Sequence, residues 1–296
     1  MAEIIQRDGT WAFDGSTVRI TPGLHRSVPL FRQAYREITV PLAAVAGVVH
    51  ETGRRRGRLC LRLREGADPL LQATGGRLPE AADPYRLAVD LDRSGAAAEY
   101  VADEIRRSLL LDRIPQEPVG AYLLTGPPVP VAVRCSDGTV SFDGSRVRID
   151  WADTSDRVKR ATGPRTVAVG ELVRVEWLPN RGHEDGFLRF VTHGTVGSEL
   201  PPEKEPYTLH LWGSARRDLL TALVAAAVTA RLPHPAARAA AEAAPGRERA
   251  TVPPSRAGRH DVLLRRLREL GELRTGGVLT EEEFAVAKAA VLRDFG

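Results

Sequence analysis

The sequence predicts a mainly β chain with some helix: one β-rich module written twice, followed by an α-helical hairpin. Three observations carry that expectation. A 13-residue string recurs at a fixed offset, each copy is filled with short runs alternating apolar and polar residues, and the last 38 residues change to helical spacing.

The repeat is read directly. Asp8 to Ile20 is DGTWAFDGSTVRI and Asp137 to Ile149 is DGTVSFDGSRVRI, identical at ten of 13 positions with an offset of 129. Downstream, Thr39-Val40-Pro41-Leu42 answers Thr166-Val167-Ala168-Val169, and Pro84-Tyr85-Arg86-Leu87 answers Pro206-Tyr207-Thr208-Leu209. A repeat of this length is a whole domain rather than a solenoid unit.

Within each copy, Trp11-Ala12-Phe13 and Thr17 to Thr21 flank Asp14-Gly15-Ser16, and Asp-Gly between β-prone runs marks a hairpin. Val140-Ser141-Phe142 and Arg146 to Asp150 repeat the pattern around Asp143-Gly144. Further strands are expected over Glu37–Pro41, Val45–Glu51, Arg58–Arg64 and Tyr85–Val89. The last two place Leu59, Leu61, Leu63 and then Tyr85, Leu87, Val89 on one face. A helix closes each copy, with Val101, Ile105, Leu109 and Leu220, Val224, Val228 at helical spacing. Six or seven antiparallel strands plus a closing helix is the pleckstrin-homology-like plan; a split barrel of another topology shares the pattern.

The organisation expected is a first module over 3–113, a Pro-rich connector over 114–132 with five prolines from Ile114 to Val131, and a second module over 133–232. A flexible linker follows over 233–258, where 14 of 26 residues are Ala or Pro, and the hairpin occupies 259–296. In the hairpin, Leu263, Leu264, Leu267, Leu270 and Leu273 form one stripe, and Gly276-Gly277 stops the helix. Thr280 and Glu283 have capping-box spacing, and Phe284 and Val291 continue on one side of the second helix.

The string LLRRLREL-GELRTGGVLTEEEFAVAKAAVL resembles the SHOCT (short C-terminal) domain. The doubled DGT-x-x-FDGS-x-VRI module resembles the domain-of-unknown-function 4429 family, an actinobacterial module often found in tandem ahead of such a tail. The resemblance implies a pleckstrin-homology-like fold and attaches no substrate.

Composition narrows the classes. Hydrophobic residues make up 43% and charged residues 27%, a globular balance. The formal charge is +4, with only three of 42 basic residues being Lys, so the basic pI is no nucleic-acid footprint by itself. Two cysteines, Cys60 and Cys135, fit a reducing compartment, and the amino-terminal stretch has no secretory pattern, so a cytoplasmic location is expected. The longest nearly apolar run, Leu219 to Ala230, is too short to span a bilayer.

Candidate sites are few. Arg54, Arg55, Arg56 and Arg58 sit in one hairpin loop, where forked guanidinium donors suit phosphates. Loops after the second strand are basic in both copies: His25, Arg26, Arg32, Arg36, then Arg157, Lys159, Arg160, Arg165. Asp14 and Asp143 are explained by tight turns without chemistry. The four tryptophans lie in or beside strands, where core packing is the default. The sequence offers no catalytic constellation, no metal-ligand spacing and no cofactor-binding motif. The expected function is a non-enzymatic binding or scaffold protein. A protein partner or self-association would use the hairpin surface of Leu263, Leu267, Leu270, Phe284 and Val291. The alternative is weak binding of an anionic membrane surface or nucleic acid through the basic loops.

Overall fold

A computed structural model describes residues 1–196 and 200–243. The SHOCT-like tail, with Leu263, Leu267, Leu270, Phe284 and Val291, lies outside the described residues, as does most of the 233–258 segment.

The first module opens with strands β1 (Ala2–Gln6), β2 (Gly9–Phe13) and β3 (Thr17–Pro22), then a short helix α1 (Leu30–Tyr35) and strand β4 (Ile38–Pro41). These four strands form an antiparallel sheet in chain order. Strands β5 (Val45–Thr52) and β6 (Arg56–Leu63), helix α2 (Pro69–Thr74) and strand β7 (Arg86–Asp90) follow. β5, β6 and β7 make a three-stranded antiparallel sheet, and helix α3 (Leu91–Leu111) closes the module against both sheets.

The second module repeats the scheme. Strands β8 (Val131–Arg134), β9 (Gly138–Phe142), β10 (Arg146–Trp151) and, after helix α4 (Arg157–Thr162), β11 (Arg165–Ala168) form a four-stranded sheet. Strands β12 (Leu172–Leu178), β13 (Gly186–Thr192) and β14 (Thr208–Leu211) form the three-stranded one. Helices α5 (Ala215–Asp218), α6 (Thr221–Thr229) and α7 (Pro235–Ala243) end the described chain.

The repeated letters have structural causes. Asp14 Oδ1 accepts from Ser16 N–H, Ser16 Oγ and Thr17 N–H at 2.8–2.9 Å, and Asp143 Oδ1 does the same for Ser145 and Arg146 at 2.7–2.9 Å. Those donors hold both carboxyls below the usual range, as expected of turn-forming aspartates. Phe13 and Phe142 end β2 and β9 with their rings 2% and 1% exposed, in matching registers opposite Val18 and Val147. A Cβ at Gly9 would stand 2.6 Å from Thr21 O, and one at Gly138 would stand 2.3 Å from Asp150 O, so only glycine fits after the first aspartate of each string.

Two strands were not among those expected, β1 and β8. β1 is short, with only Ala2 and Ile4 buried. β8 includes Val131 and Ala132, which the proline density had assigned to the connector. It is an edge strand, where nearby prolines leave the ladder intact. Prolines also do not make the connector a loose tether. Val119 N–H donates to Glu65 O, Leu123 and Leu124 N–H donate to Ala67 O, and Arg64 Nε donates to Glu117 O.

The closing helices differ. α3 buries one face, through Ala98, Val101, Ala102 and Ile105. The apolar stripe expected for the second helix is only half of the truth, because every residue from Thr221 to Thr229 is buried. One side of α6 covers its own sheets, and the other packs on α2 of the first module. A helix apolar all round requires cover all round. Its capped neighbour α2 supplies it: Asp68 accepts from Leu70 and Leu71 N–H, and Pro69, Leu70, Ala73 and Thr74 are buried. Met1–Ala241 therefore form one unit.

The 233–258 segment, expected as a flexible linker, begins with α7. Its alanines favour helix, Pro235 sits in the first turn where no N–H is needed, and His234 Nδ1 accepts from Ala236 N–H. The other face of the His234 ring donates from Nε2 to Gly66 O at 3.1 Å.

Candidate functional site

The first aspartate of each repeated string is where both modules concentrate polar groups. In the second module Asp137 is buried and its Oδ2 accepts from Lys159 Nζ at 2.6 Å and from His210 N–H at 2.9 Å. Lys159 comes from α4, whose N-cap Asp156 accepts from Val158 N–H. It is fully buried, donates also to Pro202 O and Thr208 O at 2.8 Å each, and lies 5.0 Å from the Trp151 ring centre. Burial pulls the ammonium below its usual range, and Asp137 opposes that. In the first module Asp8 Oδ2 accepts from Arg32 Nη1 at 2.6 Å and from Ala88 N–H at 3.3 Å. Arg32 is 3% exposed, and its Nε and Nη2 have no hydrogen-bond partner among the described residues.

In both copies, then, an aspartate between the first two strands binds a buried cation and an N–H of the last strand, fastening one sheet to the other. This revises the reading of the basic loops. Arg32 and Lys159 are shared because each is a buried cation paired with the first aspartate of its string, whereas Arg26, Arg36, Arg157 and Arg160 are exposed. No sequence signal announced it; the pairing partners lie 24 and 22 residues apart.

Beside this fastener each module has a cleft at the same place, the seam between its first strand and the end of its last strand. In the first module the cleft is about 580 Å³ and mixed in charge: Arg7, Arg55 and Arg56 face Asp8, Asp90 and Asp92. In the second it is about 960 Å³, floored by Val133, Leu220 and Leu223 and flanked by Trp212. The connector and Arg36 of the first module complete its wall. Trp212 is 45% exposed, unlike Trp11 and Trp177, which are core residues at 0% and 2%. Treating all four tryptophans as packing missed it. The available sign was its place directly after the last expected strand.

The arginine loop falls into two parts. Arg54, Arg55 and Arg56 are exposed and form no ion pair among the described residues. Arg58 is engaged in β6, where its guanidinium pairs with Glu51 at 3.9 Å and with Glu80, which also binds Arg86. The structure thus brings Arg55 and Arg56 to the first cleft and directs Arg58 elsewhere.

The larger cleft holds few reactive groups. Burial pushes the Cys135 thiol up to about 12, so it is not a thiolate at neutral pH. Asp218 is buried, its carboxylate accepting from Ser136 N–H and Oγ, Gly213 N–H and Asn180 Nδ2 at 3.0–3.1 Å. Among the described residues no three His, Cys, Asp or Glu side chains converge as metal ligands would. No helix among them is long and apolar enough to cross a membrane.

No curated protein matches the chain. The family described as Domain of unknown function (DUF4429) matches residues 11–106 and again 140–229, the two modules in turn. The matched segments make up more than half of the chain, which belongs to the DUF4429 family as a tandem pair.

Proposed function

We propose that the chain is a non-enzymatic binding protein whose second module holds a protein partner, while the SHOCT-like tail supplies assembly or docking. The cleft of about 960 Å³ carries the reading: an apolar floor, an exposed tryptophan and an open sheet edge, with its one buried carboxylate already saturated. Four strands, three strands and a closing helix in each module support the pleckstrin-homology-like assignment. The test is affinity capture from the native host with the full chain and with Trp212→Ala. A partner retained by the first and lost by the second supports the reading; identical retained sets overturn it. Light scattering on the full chain and on one ending at Gly258 tests the tail, and two monomeric forms at high micromolar concentration exclude self-association.

A second reading, binding of anionic lipid or nucleic acid, rests on the exposed, unpaired Arg54, Arg55 and Arg56. Changing all three to Ser should abolish salt-sensitive binding to anionic vesicles or DNA and leave stability alone. Unchanged binding retires it.

A further inference from the structure

We infer that the larger cleft takes an extended, acidic peptide segment that adds as a fifth strand to the four-stranded sheet alongside β8. This rests on the protein-binding reading above and names the partner's chemistry.

The main chain supplies the first argument. β8 is the edge of the order β11-β10-β9-β8. Cys135 N–H donates to Gly138 O across the hairpin, so the alternation of an antiparallel ladder turns Val133 and Val131 toward β9 and the N–H and C=O groups of Ala132 and Arg134 outward. The outward groups have no hydrogen-bond partner among the described residues. β8 itself lines the cleft, and the inward side chain of Val133 is buried. An uncovered edge with an apolar wall beside it accepts another strand.

Charge supplies the second argument. Arg36, Arg134 and Arg217 line the cleft, all exposed and none in an ion pair among the described residues. They arrive from three different elements: the end of α1, β8 itself and α5. Arg36 is also held with φ at 69°, a left-handed conformation that costs energy for a residue with a side chain. Asp218 does not cancel the three, because its carboxylate is turned inward onto Ser136, Gly213 and Asn180. A ligand matching three cationic side chains, two main-chain edge positions and an apolar floor is a peptide with carboxylates alternating with apolar residues. A nucleic acid would answer the arginines and leave the edge amides unmatched.

The experiment uses the full chain and follows Trp212 fluorescence. The probe is a capped decapeptide alternating Glu with Val and Thr, with the Glu residues replaced by Lys in a control, and oligothymidine as an anion without amides. Ala132→Pro removes an outward N–H and no ladder bond, so the fold survives while the edge is blocked. Arg134→Glu/Arg217→Glu reverses the charge. The expected result is binding of the acidic peptide alone, weakened at least tenfold by either variant and by raising the salt from 50 to 500 mM, the order of change that lost edge bonds and screened charge pairs produce. Equal binding of acidic and basic peptides overturns the acidic assignment and leaves a peptide-binding protein standing. Oligothymidine binding that ignores Ala132→Pro assigns the arginines to phosphate and overturns strand addition. No response to any probe at millimolar concentration overturns the inference, while the capture experiment still decides the broader reading.

Discussion

Lys159→Met tests the sheet fastener where it is most complete. The ammonium is fully buried and makes three hydrogen bonds, 2.6 Å to Asp137 and 2.8 Å to each of Pro202 O and Thr208 O. Methionine has similar volume, so packing changes little and the loss is electrostatic. It leaves a buried carboxylate with one remaining donor, His210 N–H, and two carbonyls with none from this side chain. Breaking a buried pair in this way costs about 3–5 kcal/mol. Adding Asp137→Asn removes the stranded charge while keeping an acceptor for His210, and should restore about 2 kcal/mol. Arg32→Met is the control in the first module. Its guanidinium makes one bond, to an aspartate with 25% of its side chain exposed, so about 1–3 kcal/mol is expected. Urea unfolding at pH 7, followed by far-ultraviolet circular dichroism, reads all four proteins. A loss below about 1 kcal/mol for Lys159→Met, or a larger loss for Arg32→Met, refutes the reasoning.

Two further outcomes follow from the same packing. Phe13→Ala and Phe142→Ala should each cost about 3–5 kcal/mol, because both rings fill equivalent core sites; costs differing by more than about 2 kcal/mol would contradict equivalence. Burial raises the Asp68 carboxyl from 3.8 to about 6, so the unfolded chain gives up this proton first and stability falls as pH rises from about 4 to 6. Asp68→Asn keeps an oxygen to cap α2 and should flatten that fall, which amounts to about 3 kcal/mol at neutral pH. Parallel urea midpoints for the two proteins between pH 4 and 7 would show that Asp68 ionises freely.

The sequence carried the layout and lost the seams, for physical reasons. Strand and turn preferences are local, so the two Asp-Gly hairpins, the alternation of Leu59, Leu61 and Leu63, and the closing-helix stripes were readable. β8 was hidden by prolines at its entrance. Burial on all sides of α6 depends on α2, which lies some 150 residues earlier in the chain. Arg32 and Lys159 illustrate the sharpest difficulty. Written in a row of basic residues, a cation destined for burial against an aspartate has the same letters as one destined for solvent. Duplication did not separate them, because both copies carry several basic residues between the third and fourth strands, and only the fold shows that Arg32 and Lys159 are the ones that turn inward to Asp8 and Asp137.

The same duplication explains why the two clefts differ in kind. At the first seam Gln6 Oε1 accepts from Asp90 N–H at 3.1 Å, drawing the ends of β1 and β7 together, and Asp8, Asp90 and Asp92 line the same cleft as Arg7, Arg55 and Arg56. At the second seam Cys135 replaces Gln6, and its thiol turns back to Gly138 O within its own hairpin. Ser136 then takes over the bridge, its hydroxyl accepting from Trp212 N–H while donating to the Asp218 carboxylate. Trp212, Gly213 and Ser214 stand where the first module has Asp90, Leu91 and Asp92, so two acidic side chains are absent from that rim. The fastener is common to both modules, since both folds need it. Only the groove beside it has changed, from a lining of mixed charge to arginines over an apolar floor, and unmatched charge beside an open strand is a surface that gains by acquiring a partner.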